Sequence, residues 1–406
     1  MDLHLTADQQ AFLDRVETFA RDEVRPRAAA IDERDEFPRD LVRRAASLGL
    51  SAVALPKAAG GAGLDMVTYA HALEAIGRAS ATLAVILSVS NSLVASVLQR
   101  WGSDAQKDRW LKALASGDRI GGFALSEEDA GSDAGNQQTI AALDDRGYVL
   151  NGRKVWVANA EAADLFIVVA ATQPGARGRG ISAFLVPADS PGLSLEKTGE
   201  SLGVRGLGCR DVVLKDVRVE ADGLLGEAGH GFRIAMTALE GGRVAIAAQA
   251  LGVGRAALDE ALAYAKARET FGQPIGNYQA IQFMLADMAT ELDAARMLTL
   301  KAADACDRQS SAAVEAAMAK LSASEAAHRA AVDGQLDPHH VTAERVFVFV
   351  RVRATRAAPS MKGLFIVIQD ALLVKLVVEG HVGADLRDNW QAGRRRARSD
   401  PPRRLL

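Results

Sequence analysis

The apolar positions of this chain change period three times, and each change marks a region. In LTADQQAFLDRVETFA, Phe12, Leu13, Val16, Phe19 and Ala20 fall on one face of a helix. Thr6 precedes Gln9 by three residues, the spacing of a capping box at a helix start. PKAAGGAGLD (56–65) predicts a Gly-rich loop. GRASATLAVILSVSNSLVASVLQRWG (77–102) is apolar nearly all round and predicts a buried helix pair. Near residue 121 the period shortens. DDRGYVLNGRKVWVAN places Asn151-Gly152 between strand-like runs, which predicts a hairpin turn there. LFIVVAAT, GISAFLVPA and CRDVVLKDVRV are short, rich in branched residues and bounded by Gly, Pro or Asp, as strands are. From about residue 230 helical spacing returns in three long stretches with short joins, the pattern of a bundle. The expected organisation is an α+β multidomain chain: helical over 1–120, a small β-barrel or sheet domain over 121–229, and a helical bundle over 230–334.

Beyond Gly334 the pattern breaks. VFVFVRVRATR alternates as a strand does, and RRRARSDPPRRLL is Arg-heavy with the composition of a disordered tail. Residues 335–406 form a divergent basic segment with 13 Lys+Arg, 11 of them Arg, against 7 Asp+Glu. The first 334 residues carry the opposite balance, which leaves the whole chain at a formal charge of −3. So abrupt a change reads as a shifted reading frame. A genuine divergent tail is the alternative.

With 406 residues, 49% of them apolar, the chain can bury several cores. The charge gives no sign of a nucleic-acid partner. No apolar run reaches the roughly 18 residues of a membrane span. LFIVIQDALLVKLVV is broken by Asp370 and Lys375. The two cysteines, Cys209 and Cys306, have neither metal-type spacing nor a disulfide framework, and with the polar N-terminus they fit a cytoplasmic protein.

Several stretches combine chemistry with unusual spacing. FALSEEDAGSDAGN (123–136) joins the first two regions and mixes hydroxyls, acids and glycines, so it can lie against a flat polar ring or a phosphate. An ordinary interdomain loop would read the same way. Trp156 sits on a strand, where it serves as core or as a stacking surface. Glu240 and Arg243 lie three apart near the start of a helix, a spacing that also gives a surface ion pair. RETFGQPI (268–275) ends a helix, and Arg268 there suits either capping or a pyrophosphate. His339-His340 has no third ligand at a metal-type spacing.

SVSNSL, FALSEEDAGSDAG, GISAFLVP, ALEGGRVAIAAQALG and RETFGQPIGNYQAIQFMLADMA together resemble the acyl-CoA dehydrogenase family, most closely its short-chain (butyryl-type) members. The likeness runs from residue 1 to about 334. It implies the same helix–sheet–helix fold and FAD as cofactor. It further implies an acyl-CoA substrate oxidised to the trans-2-enoyl-CoA in fatty acid metabolism, electron-transfer flavoprotein as acceptor, and a homotetramer. By that resemblance Phe123, Leu125 and Ser126 run along the flavin edge, and Gly131 and Ser132 lie near the FAD phosphates and the CoA arm. Trp156 faces the flavin, Ala158 lies beside its N5, and Arg268, Phe271 and Gln279 reach the FAD of a partner subunit. Glu240 and Arg243 take positions associated with the CoA moiety.

Two departures stand out. The family has a hydroxyl residue where this chain has Ala158, and a lost neutral hydrogen bond costs about 0.5–1.5 kcal/mol. The family's Gly-Gly turn and the Tyr-Glu-Gly-Thr that supplies its base are missing after Gly334, and the position of an alternative base is Gly242. Glu379, in VVEGHVG, is the remaining acid with a following glycine and is the candidate base. A relative that binds flavin and acyl-CoA without catalysis is the competing expectation. A nucleic-acid-associated relative using the basic tail ranks last.

Overall fold

The computed structural model describes residues 4–308 and 312–334, all within one of the two units into which the chain divides. Glu379, the alternating stretch after residue 345 and the Arg-rich tail lie outside the described residues.

The chain opens with Ala7–Phe19 (α1), Ala28–Arg34 (α2), Arg39–Ser47 (α3), Met66–Ala79 (α4), Ala81–Ser88 (α5), Ser96–Trp101 (α6) and Asp104–Ala115 (α7). Thr6 and Gln9 form the expected capping box, each side chain meeting the other's backbone N–H. The α1 residues Phe12, Leu13, Val16 and Phe19 are buried.

The stretch expected to be a helix pair folds differently. Its first residues end α4, and Ser80 caps the next helix by accepting from the Leu83 amide. Helix then runs from Ala81 to Trp101, with a π-helical segment at Val89–Ala95 linking α5 to α6. This 21-residue helix is long and apolar enough to cross a membrane by composition, which corrects the expectation that no such stretch exists. Most of it is buried in the protein's own core, as befits a central helix.

Eight strands follow: Gly121–Ala124 (β1), Ile140–Asp144 (β2), Gly147–Val157 (β3), Leu165–Ala171 (β4), Ile181–Pro187 (β5), Leu193–Lys197 (β6), Arg210–Glu220 (β7) and Leu224–Leu225 (β8). They order as β6-β7-β3-β2-β4-β5-β8, with β1 parallel to β4. The hairpin turn is not Asn151-Gly152. It is Asp145-Arg146, since Asp144 pairs with Gly147. Asn151-Gly152 instead lies inside β3, at a register shift against β7. Gly152 has φ +155, and a Cβ there would meet Thr139 Oγ1 at 2.4 Å. A glycine serves a close strand approach as well as a turn.

The last region contains Gly231–Ala267 (α8), Gln279–Asp307 (α9) and Ala313–Asp333 (α10). Between α8 and α9 is a small hairpin of Glu269–Thr270 (β9) and Gln273–Pro274 (β10). Helix α8 packs against α4 through glycines. A Cβ on Gly77 would sit 2.7 Å from Gln249 O, and one on Gly252 would sit 2.3 Å from Glu74 O. Glu240 and Arg243 lie in the third and fourth turns of α8, not near its start as expected.

Candidate active site

The end of β3 departs from regular strand geometry. Lys154 pairs with Val212 and Val157 with Arg210, so two residues of β3 oppose Asp211 alone. The bulge puts Trp156 at φ +55, a left-handed conformation that costs a bulky residue on the order of 1–3 kcal/mol. Asp211 answers the strain. Its Oδ1 accepts the Trp156 amide at 3.1 Å, and its Oδ2 accepts Arg153 Nη2 at 2.7 Å and Nε at 3.2 Å. The half-buried Trp156 ring rests beside Gly199, where a Cβ would come within 3.2 Å of it.

Three residues after Trp156, Asn159 is also left-handed, at φ +63, which Asn tolerates. It is fully buried. Its Nδ2 donates to Ile86 O at 3.3 Å and Gly121 O at 3.4 Å, joining the end of β3 to α5 and β1. Val157 and Ala158 are therefore held between two fixed points. Ala158 is buried and presents only a methyl group.

Phe123 and Leu125 lead from β1 into the loop beside this strand end. The Val155 amide donates to Ser126 O at 2.9 Å. Ser126 is buried as a residue. From the other side, Leu239 and Ala235 of α8 pack on Leu125, with Phe123, Phe232 and Met236 at the margin. The structure thus brings Phe123, Leu125, Ser126, Trp156 and Ala158 together, and sets Glu240 one residue beyond that contact. Gly131 and Ser132 lie further along the same loop, near the exposed Asp133–Arg177 ion pair.

Sequence reasoning missed what holds this loop. Lys154, fully buried on β3, donates to Leu125 O at 3.2 Å, to Glu127 Oε1 at 2.6 Å and to Gln137 Oε1. The Glu127 carboxylate also accepts the Gln138 amide at 2.6 Å and the Thr139 amide at 3.0 Å. Burial pushes the Lys154 ammonium down to about 8, against the pull of Glu127. Burial also works to raise the Glu127 carboxyl, but Lys154 and the amides outweigh it and hold it below its ordinary value. RKVWV gave no such signal: in a regular strand a residue three before the buried Val157 faces the other way, and only the bulge turns both inward.

Arg268, Phe271 and Gln279 lie elsewhere. Along α8, Arg268 is about 40 Å from Leu239 at 1.5 Å per residue. The turn of the β9–β10 hairpin is Phe271-Gly272, both with positive φ (50 and 79), as a type I′ turn requires. Asn or Gly is the usual residue at the first position. Here Phe271 takes it with its side chain 95% exposed. Arg268 and Gln279 are exposed beside it.

Gly242 faces Leu93 of the π-helical segment, and a Cβ there would be 3.2 Å from Leu93 Cδ2. Tyr69, buried nearby, meets Ser92 Oγ at 3.1 Å. No group of three or more His, Cys, Asp or Glu residues among the described residues could hold a metal.

A strand end and loop fit to hold a planar ring, flanked by a long helix, define a site between sheet and bundle. Three family models match in the same order: the acyl-CoA dehydrogenase N-terminal domain over 6–118, the middle domain over 122–217 and the C-terminal domain over 229–334. The chain belongs to the acyl-CoA dehydrogenase family. It is 46% identical over 325 residues to the human mitochondrial short-chain specific acyl-CoA dehydrogenase, covering 80% of this chain and 79% of that one. It is 39% identical over 327 residues to the short-chain specific acyl-CoA dehydrogenase of Clostridium acetobutylicum, covering 80% and 86%. Among solved structures, butyryl-CoA dehydrogenase of Megasphaera elsdenii superposes with TM-score 0.82 at 36% identity, over 86% of this chain and 94% of that one. A chain described with the electron transferring flavoprotein of Acidaminococcus fermentans matches at TM-score 0.83 and 36% identity, over 86% and 93%.

Proposed function

We propose that the protein is an FAD-dependent dehydrogenase of short-chain acyl-CoA thioesters, with Glu379 as base and electron-transfer flavoprotein as electron acceptor. The observation that carries the reading is the bulged end of β3, which carries Trp156 and is tied to the loop from Phe123 to Ser126 by the Val155 amide on Ser126 O and by Lys154 on Leu125 O. The residues there fit a flavin. Ser126 offers it a hydroxyl, Trp156 offers a flat apolar face, and the left-handed Trp156 and Asn159 fix the strand end in advance. When bound, FAD accepts the hydride lost from the β carbon of the acyl chain.

The chain's own residues have the remaining tasks. Ser126 and the backbone around it orient the ring edge, while Leu125, Phe123 and Leu239 exclude water on the α8 side. Gly131 and Ser132 leave room for phosphates, and Glu240 and Arg243 line the approach of the CoA arm. The strained Phe271, with Arg268 and Gln279, supports a contribution to the FAD of a second subunit in a homotetramer. The α proton must go to an acid. Gly242 cannot accept it, so the role falls to Glu379, whose carboxylate would need a desolvated setting to work as a base.

The test is turnover of butyryl-CoA with an artificial electron acceptor, in the wild type and in Glu379→Gln. Turnover in the wild type alone fits the proposal. Equal turnover in both removes Glu379 from the mechanism, and flavin binding without any turnover identifies a non-catalytic binding protein.

A further inference from the structure

We infer that Lys154 is a positioning residue for the cofactor: by tying Leu125, Glu127 and Gln137 to β3, it sets the loop of 125–139 in the shape that receives FAD. The inference rests on the FAD reading above and assigns a role to Lys154, Glu127 and Gln137, which that reading leaves without one.

Three contacts from a single ammonium converge on one loop. The Leu125 carbonyl lies where the loop leaves β1, Glu127 two residues on, and Gln137 just before β2 begins at Ile140. Each arm is knitted further. Glu127 accepts the Gln138 and Thr139 amides, which draws the outgoing and returning arms together. Gln137 Nε2 donates to Ala134 O at 3.0 Å, and Glu127 and Ala130 exchange backbone bonds at 3.4 and 3.2 Å. Gly131 and Ser132 are carried at the tip between these anchors, and Leu125 and Ser126 at the root. Lys154 is itself two residues from Trp156. One side chain therefore fixes the loop relative to the stacking surface.

A buried charge is a costly way to hold a loop. An apolar residue on β3 would pack at lower cost but would take a donor from the Leu125 carbonyl and Gln137 Oε1 and leave the buried Glu127 charge without its counter-ion. Three directed bonds to one point do what packing does not, since they fix the orientation of the peptide groups next to the ligand. The arrangement fits a binding loop that must be formed before the ligand arrives.

The test compares wild type, Lys154→Met with Glu127→Gln, and Gln137→Leu, each purified without flavin and titrated with FAD. Readouts are FAD affinity by flavin fluorescence, the shape of the bound flavin's visible spectrum, and the melting temperature of the apo protein. Wild type that binds no FAD sinks the functional reading itself. If wild type binds, the inference predicts a folded double variant with FAD affinity lowered at least tenfold and a bound spectrum closer to that of free flavin. Gln137→Leu, which keeps the ion pair and loses one arm, should show a smaller loss of about three- to tenfold. A folded double variant with wild-type affinity and spectrum overturns the inference. If the double variant does not fold, Gln137→Leu decides: reduced affinity at an unchanged apo melting temperature supports it, and unchanged affinity overturns it.

Discussion

Asp211 offers the sharpest test of how the site is built, because its carboxylate serves two unlike partners. Replacing it by Ala removes the acceptor of the Trp156 amide inside the bulge and one of two acid partners of Arg153. The second loss is small. Arg153 is half exposed and keeps Glu196 at 2.6 Å, so its pair with Asp211 contributes about 0–1 kcal/mol. The first loss is larger. A bond to a carboxylate contributes about 1.5–3 kcal/mol, and Asp211 Oδ1 is the acceptor that the Trp156 amide has in the bulge. Asp211→Ala should therefore cost about 2–4 kcal/mol. At roughly 2–4 °C per kcal/mol for a large domain, the apo melting temperature should fall by at least about 4 °C. Asp211→Asn keeps an oxygen for the amide and gives up only the charge, so it should lose about 1 kcal/mol. The assay is thermal unfolding of the apo protein, with FAD affinity measured beside it. An Asn variant as damaged as the Ala variant would refute the reasoning, since the charge on Arg153 and not the bulge bond would then carry the effect. An Ala variant melting within 1 °C of wild type would refute it too.

Other consequences can be measured on the same preparations. Phe271→Asn should raise the apo melting temperature slightly, because a left-handed turn position that costs a bulky residue about 1–2 kcal/mol becomes nearly free. It should also weaken FAD binding in the assembled protein; a variant that gains stability with FAD affinity intact would show that the exposed ring is idle. Ala158→Thr should increase turnover about two- to tenfold by restoring a donor of about 0.5–1.5 kcal/mol beside the flavin; steady-state kinetics check this, and no gain would place the residue away from the ring. Glu127 is held below its ordinary value in the folded state, so it adds stability that is full above the unfolded carboxyl range near 4.5 and is lost as pH falls through the folded value. Denaturant unfolding from pH 6 to 3 should lose stability less steeply in Glu127→Gln than in wild type, and parallel curves would contradict the assignment.

The regions and their order were legible because hydrophobic period is a local property. Thr6 and Gln9, the α1 face and the long α8 could all be read from spacing. Asn151-Gly152 misled, since the same dipeptide serves a hairpin turn and a bulge, and only pairing with Asp216 and Thr139 across the sheet decides which. The helix from Ala81 to Trp101 hid its continuity for a similar reason. Its Ser90, Asn91 and Ser92 look like a break, yet they are bonded within the core: Asn91 reaches Leu50 O, Leu87 O and the Val53 amide. Of the site, Trp156 and the loop from Phe123 could be named from sequence, but not the left-handed bulge or the role of Lys154. Both depend on partners 17 to 58 residues away in the chain. The family match ends at residue 334, the position at which the charge and period of the sequence change.

The central claim is that this chain holds FAD and uses it to oxidise a short acyl-CoA. The most direct measurement is the visible spectrum of the purified protein reconstituted with FAD, followed without oxygen as butyryl-CoA is added. The account predicts a bound flavin band that bleaches on addition in the wild type and persists in Glu379→Gln. A protein that binds no FAD, or one whose flavin band is untouched by butyryl-CoA, would contradict it.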